Sequence, residues 1–266
     1  MKIGEYELDS NDSAEANKII TDFLNYTCVI INGDVSYNNG RSFLEDKQYR
    51  LNIDSSRYVG IKLRYDKMFR HENEFLVRDI RTKIGLANYG IKRINGFPMD
   101  SSKWRDGDCL ISDWGHVDQK TDLYTLTSDS ISQQDKVIFL GELGKNAALS
   151  YALGLWDRRS SNFVWDKNEK KIISIDHESI SEEEIDKAIT TAIANIAVKF
   201  FDANWYMDKE LKLTFVAGFE SVWSEIVMNR IEIGIIFDKY TIGKKESFLK
   251  RISQSSTLPL ALIMMQ

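Results

Sequence analysis

Apolar and polar positions repeat with two different periods along this chain, and the change comes near its middle. In the first half, short runs rich in β-branched and aromatic residues recur. Residues 27–32 (TCVIIN), 48–53 (QYRLNI), 57–64 (RYVGIKLR), 91–97 and 108–112 (DCLIS) each predict a strand. One helix precedes them and a second falls among them. Residues 12–25 predict a short one, with Ile19, Ile20, Phe23 and Leu24 apolar. The stretch HENEFLVRDIRTKIGL, residues 71–86, places Leu76, Val77, Ile80 and Ile84 on one face and Gly85 near its end. In the second half the helical period dominates. Helices are predicted at 145–155, 181–201, 208–232 and 245–253, with Ser181 and Glu184 in capping-box spacing. The exception is a hairpin. Phe163–Trp165 and Ile172–Ile175 flank the charged turn DKNEKK. The pattern is α+β: a β-rich first lobe, residues 1–113, and a mainly helical second lobe, residues 114–266.

Composition narrows the picture a little. A chain of 266 residues with 43% hydrophobic and 11% aromatic residues can bury one large core or two smaller ones. Only 2 prolines and no Gly/Ser-rich tract leave no evident linker. A net charge of −5 argues against a general nucleic-acid binder, so no nucleic acid is expected as a partner. Cys28 and Cys109 are far apart and lack metal-ligand spacing, as suits buried thiols in a reducing compartment. The start MKIGEYELDSND has no apolar signal core, and no apolar run reaches the ~18 residues that would span a bilayer. A cytoplasmic protein without a transmembrane segment is expected. His71 and His116 have no partners in sequence and read as structural or exposed. Lys244, Lys245, Lys250 and Arg251 read as a solvated helix face. The apolar tail LPLALIMMQ suits core packing, a neighbouring subunit or a docking partner, and the sequence leaves these open.

The stretch LGLWDRRSSNFVWDKNEKKIISIDHE, residues 153–178, carries the candidate chemistry. Asp157 and Asn162 stand five apart before the hairpin, and Asp176 follows it. Pairing across DKNEKK brings Asn162 and Asp176 to the same end. A carboxylate and a carboxamide there form the kind of oxygen-ligand pair that Mg²⁺ takes, with phosphates completing its shell. Phosphoryl transfer also needs a lysine for the phosphates, a carboxylate to place that lysine, and a carboxylate beside the attacking hydroxyl. Lys62 in the strand VGIKLR, a glutamate on the next helix (Glu72 or Glu74) and Asp157 supply these in that order. Each alone has a bland reading: a solvent-facing strand lysine, a surface glutamate, a loop carboxylate capping a turn. The order of the whole set favours the chemical reading.

On these residues the chain resembles atypical kinases. GLWDRRSSN followed by IISIDHE is similar to the catalytic and metal-binding segments of phosphatidylinositol 3-/4-kinase-like enzymes. ENEFLVRDIRTKIGL resembles the N-E…G-L helix of HipA-like serine/threonine kinases, which selects Glu74 over Glu72. LGKNAALSYALGL suits the helix leading into the catalytic loop of both groups. The resemblance covers residues 57–86 and 140–180. It implies a two-lobed protein-kinase-like fold with ATP and Mg²⁺ as cofactors. Lys62 would bind the nucleotide phosphates and pair with Glu74. Asp157 would be the catalytic base or substrate-orienting carboxylate, with Arg158 neutralising phosphate or bracing the loop. Asn162 and Asp176 would hold the metal. Gly40-Arg41-Ser42 is the best candidate for phosphate-facing backbone N–H groups, since the region lacks G-x-G-x-x-G. Cys109–Ser112 is the candidate adenine-pairing strand.

Three departures stand out. Arg159 replaces a histidine, His177 and Glu178 follow Asp176 in place of Phe-Gly or Asn-Gly, and the phosphate loop is not defined. The implied activity is phosphotransfer to a protein serine or threonine, with a protein substrate and ATP as partners. A lipid or small-molecule kinase, a nucleotide-binding pseudokinase and an AMP transferase are the alternatives.

Overall fold

The computed structural model describes residues 72–88, 120–177, 180–181, 187–240 and 244–253 in full. It gives backbone alone at 71 and 186 and in the strands of 2–63 and 90–116. The chain divides into two compact units. The first comprises residues 1–71 and 89–118, the second residues 72–88 and 119–266.

The first unit is β-structure. Strands β1 (Lys2–Ile3) and β2 (Tyr6–Glu7) form a small antiparallel pair. A five-stranded sheet contains β3 (Cys28–Ile30), β4 (Gln48–Asn52), β5 (Arg57–Leu63), β6 (Gly90–Phe97) and β7 (Gly107–His116), in the order β3-β4-β5-β7-β6. All pairings are antiparallel, as expected for runs with one apolar and one polar face. Lys62 lies in β5 with Gln48 and Leu110 as its register partners. Residues 109–112 lie in β7, between β5 and β6. The helix expected at 12–25 and the segment Gly40-Arg41-Ser42 lie outside the described residues.

The second unit is mainly helical. Helix α1 (His71–Lys83) buries Leu76, Val77, Ile80 and, just beyond its end, Ile84, the face that the periodicity predicts. It stops at Gly85, which takes a left-handed φ of 70°, and the Leu86 N–H reaches back to the Arg81 carbonyl at 2.9 Å. Helix α2 (Gln133–Leu153) begins twelve residues before the expected start at 145, capped by Ser132, whose Oγ accepts from the Asp135 N–H at 3.1 Å. Two glycines inside it hide the helical signal. Gly144 is there because helix α4 (Lys209–Met228) passes so close that a Cβ would lie 2.3 Å from the Phe215 carbonyl oxygen. Helix α2 ends at Gly154, φ 71°, directly before the loop that carries Asp157.

Helix α3 (Asp186–Phe200) buries Ile189, Ile193, Ile196, Ala197 and Phe200, and the Ser181–Glu184 capping box lies partly outside the described residues. The single helix expected at 208–232 is two. Helix α4 starts at Asp208, whose carboxylate accepts from the Glu210 and Leu211 N–H groups, and ends at Asn229, after which α5 (Arg230–Tyr240) begins. Helix α6 (Lys244–Ile252) completes the unit by burying Phe248 and Ile252.

A three-stranded sheet, β10-β9-β8, joins β8 (Lys120–Asp122), which precedes α2, to β9 (Phe163–Asp166) and β10 (Lys171–Ser174), which follow it. The predicted hairpin supplies its central strand β9 and edge strand β10, pairing Phe163 with Ser174, Val164 with Ile173 and Trp165 with Ile172. Asn146 of α2 ties it to two helices. Its Nδ2 donates to the Ile172 carbonyl at 3.2 Å, and its Oδ1 accepts from Arg81 Nη1 of α1 at 2.9 Å. The fold is thus α+β, with a β-rich unit and a mainly helical unit; helix α1, which the expected division at residue 113 put with the strands, belongs to the helical unit.

Candidate functional site

The loop from Trp156 to Asn162 sends successive side chains in opposite directions. Asp157 and Arg159 face outward as an ion pair. Arg159 Nε and Nη2 each donate to one Asp157 oxygen at 2.9 Å, a bidentate arrangement. Arg158 between them turns inward and is 1% exposed. Its guanidinium donates to Ser174 Oγ at 2.8 Å and to the carbonyls of Ile175 and Asp176, with the Phe163 ring 5.6 Å away. Of its two expected roles, bracing the loop is the one its burial fits.

Asn162 closes the loop. Its Nδ2 donates to the Asp157 carbonyl at 2.7 Å, which fixes the orientation of the carboxamide. Its backbone carbonyl accepts from the Ile175 N–H at 2.9 Å, extending the hairpin by one step. Asp157, Asn162 and Asp176 therefore gather at the open end of β9 and β10. Asp176 sits there with φ 56°, a left-handed conformation that non-glycine residues adopt rarely. Such conformations persist where surrounding structure enforces them, and they cluster at functional sites. Among the described residues no group of three His, Cys, Asp or Glu side chains could hold a metal by itself. Asn162 Oδ1, which accepts from Ser161 Oγ at 3.4 Å, and the Asp176 carboxylate are hard oxygen groups of the kind Mg²⁺ takes.

Glu74 of α1 meets this site at His177. One carboxylate oxygen accepts from the His177 backbone N–H at 2.6 Å, and the other faces Nδ1 at 2.9 Å. Both side chains are almost fully buried. Burial holds the His177 imidazole below its ordinary range, with the Glu74 carboxylate working against that shift. A neutral ring then donates from Nδ1 to Glu74 and accepts at Nε2 from the Ser174 hydroxyl, 2.8 Å away. The expected partner of Glu74, Lys62, belongs to the first unit, and its side chain lies outside the described residues, as do Gly40, Ser42 and Glu178. Sequence reasoning left His177 and Ser174 without a role. The only signal was a histidine directly after a candidate metal ligand.

A cleft of about 820 Å³ opens beside Asp157. The loop supplies Trp156, Asp157 and Arg159 on one side, and α3 supplies Lys187, Thr191 and Asn195 on the other. Ala188 and Ala192 on the same helix face keep it open. The basic group expected as a solvated face is only partly that. Lys244 is buried, and its ammonium donates to the Ile180 carbonyl at 3.0 Å, while Arg251 reaches the Ser181 carbonyl at 3.4 Å. These residues hold the segment that follows the site, which is why they are not free in solvent.

No family model matches the chain, and no curated protein matches it. Solved structures do. The chain is similar to WaaP in complex with acyl carrier protein, at 12% identity and a TM-score of 0.45, over 78% of this chain and 87% of that one. It is similar to the proinflammatory kinase CtkA of Helicobacter pylori, at 10% identity and a TM-score of 0.42, over 82% and 93%. A Neurospora crassa PAN3 pseudokinase mutant aligns at 10% identity and a TM-score of 0.36, over 89% of this chain and 61% of that one.

Proposed function

We propose that the chain is an ATP- and Mg²⁺-dependent phosphotransferase of the atypical kinase type, acting on a serine or threonine hydroxyl of a protein. One observation carries this reading. The hairpin pairing and the Ile175 N–H bond to the Asn162 carbonyl bring Asn162 and Asp176 to one end of β9 and β10, and the Asn162 amide bond to the Asp157 carbonyl puts Asp157 on the same loop. Asn162 and Asp176 would hold Mg²⁺, which when bound neutralises charge on the phosphates. Lys62 would hold the phosphates, with Gly40 and Ser42 supplying backbone N–H groups. Glu74 acts on the metal side of the site.

The cleft between the loop and α3 is where an acceptor hydroxyl would reach Asp157. Asp157 would orient that hydroxyl and take its proton as the oxygen attacks the γ-phosphorus and ADP leaves. In the resting arrangement both Asp157 oxygens face Arg159, which must swing aside for this to happen. That ion pair is also the observation favouring a second reading, a nucleotide-binding pseudokinase.

Incubation with γ-labelled and α-labelled ATP separates the possibilities. Label from the γ position, lost in Asp157→Ala while ATP binding persists, is the expected result. Label from the α position alone means AMP transfer. Nucleotide binding with no transfer of either label means a pseudokinase.

A further inference from the structure

His177 makes more contacts than a residue that merely follows a metal ligand needs. Its backbone N–H and Nδ1 both engage Glu74 on α1, at 2.6 and 2.9 Å. Its Nε2 meets Ser174 Oγ on β10 at 2.8 Å, and that same oxygen accepts from Arg158 Nη1 at 2.8 Å. Arg158 also holds the carbonyls of Ile175 and Asp176. The four side chains are 1–2% exposed. They come from three separate parts of the fold: helix α1, the β9–β10 hairpin with its exit, and the loop carrying Asp157. Glu74 and Arg158 bond the peptide groups either side of Asp176, and His177 and Ser174 link the two.

A buried polar cluster of this size is a costly way to obtain stability alone, since apolar side chains of similar volume often serve as well or better. What it does supply is fixed geometry. Asp176 needs that, because its left-handed backbone is not one it would choose unaided.

We propose that His177 is a positioning residue for the metal site. It clamps the Asp176 turn to helix α1 through Glu74 and to the Asp157 loop through Ser174 and Arg158. The inference rests on the phosphotransferase reading, because it takes Asp176 as a metal ligand. It also gives a reason for the histidine at this position. A phenylalanine would keep the backbone bond to Glu74 but could make neither side-chain bond. Residues that orient a metal ligand from behind typically change metal affinity by 10–100-fold when removed.

The experiment measures ATP affinity of the full chain in EDTA and across a Mg²⁺ titration, for wild type, His177→Phe and Ser174→Ala. Circular dichroism and thermal melting check folding. Ser174→Ala removes a single oxygen, so it still decides the matter where His177→Phe fails to fold. The expected result is a half-saturating Mg²⁺ concentration raised roughly tenfold in His177→Phe and about threefold in Ser174→Ala, with ATP affinity in EDTA unchanged. Folded variants with an unaltered Mg²⁺ midpoint would overturn the proposal. So would an equal loss of ATP affinity with and without the metal, which marks a structural role only. A wild-type chain whose ATP affinity ignores Mg²⁺ would remove the phosphotransferase reading itself, and the clamp with it.

Discussion

Two glycines one helix apart should respond to the same substitution in opposite directions. Helices α2 and α4 form the main packed pair of the second unit. A Cβ built on Gly218 of α4 would lie 2.1 Å from the Gly141 carbonyl oxygen and 3.1 Å from its Cα. Since real Cβ atoms keep at least 3.0 Å, the two backbones would have to part by roughly 1 Å. Backbone cannot yield as a flexible side chain can. Overpacking of this kind costs about 3 kcal/mol, at the upper end of its usual range. In a unit of this size that is a drop in Tm on the order of 10 °C for Gly218→Ala. Gly141 faces the same helix, but its Cβ would meet Thr214 Cγ2 at 3.6 Å, an ordinary contact. Alanine there avoids the cost of glycine within a helix, about 1 kcal/mol, so Gly141→Ala should leave Tm unchanged or raise it by a few degrees. Calorimetry or circular-dichroism melts of the two single variants make the test. Equal shifts, or a Gly218→Ala shift below about 2 °C, would refute this account of how the helix leading to the Asp157 loop is held.

Other outcomes follow from the same geometry. Burial alone would raise the Asp79 carboxyl on α1. Bonds from Tyr240 at 2.6 Å, Arg78 and Lys239 outweigh that and hold it below the ordinary range. A group depressed on folding stabilises above its unfolded pKa and loses that contribution as pH falls through the folded value. The stability gap between wild type and Asp79→Asn should therefore be full at neutral pH and close as pH falls below about 4, as read by urea unfolding at several pH values. Asp208 caps α4 through two N–H groups, at 2.8 and 3.1 Å. Asp208→Ala should cost about 1 kcal/mol in the same assay, with Asp208→Asn nearly neutral.

The sequence made some parts of this molecule legible and concealed others, for physical reasons. Helix α1 could be read because Leu76, Val77, Ile80 and Ile84 keep one face and Gly85 marks its end. The β9–β10 hairpin could be read because its two apolar runs bracket a charged turn. Helix α2 could not be read to its true start, because it is buried on most sides and contains Gly141 and Gly144, the second of which serves the close approach of α4. The break at Asn229 was hidden because α4 and α5 continue the same apolar period across a single residue. At the site, the meeting of Asn162 and Asp176 at one end of the hairpin followed from pairing across DKNEKK. The Glu74–His177–Ser174–Arg158 chain did not. It joins residues 103 positions apart, and no local pattern records a tertiary hydrogen bond.

In the proposed reading Asn162 and Asp176 form an oxygen-ligand pair for the metal that accompanies a nucleotide. Equilibrium binding of ATP with Mg²⁺ and with EDTA, compared between wild type and Asp176→Ala, tests it directly. The prediction is that Mg²⁺ tightens ATP binding by wild type and has no such effect on a folded Asp176→Ala chain. A variant that binds Mg²⁺-ATP as tightly as wild type would contradict it.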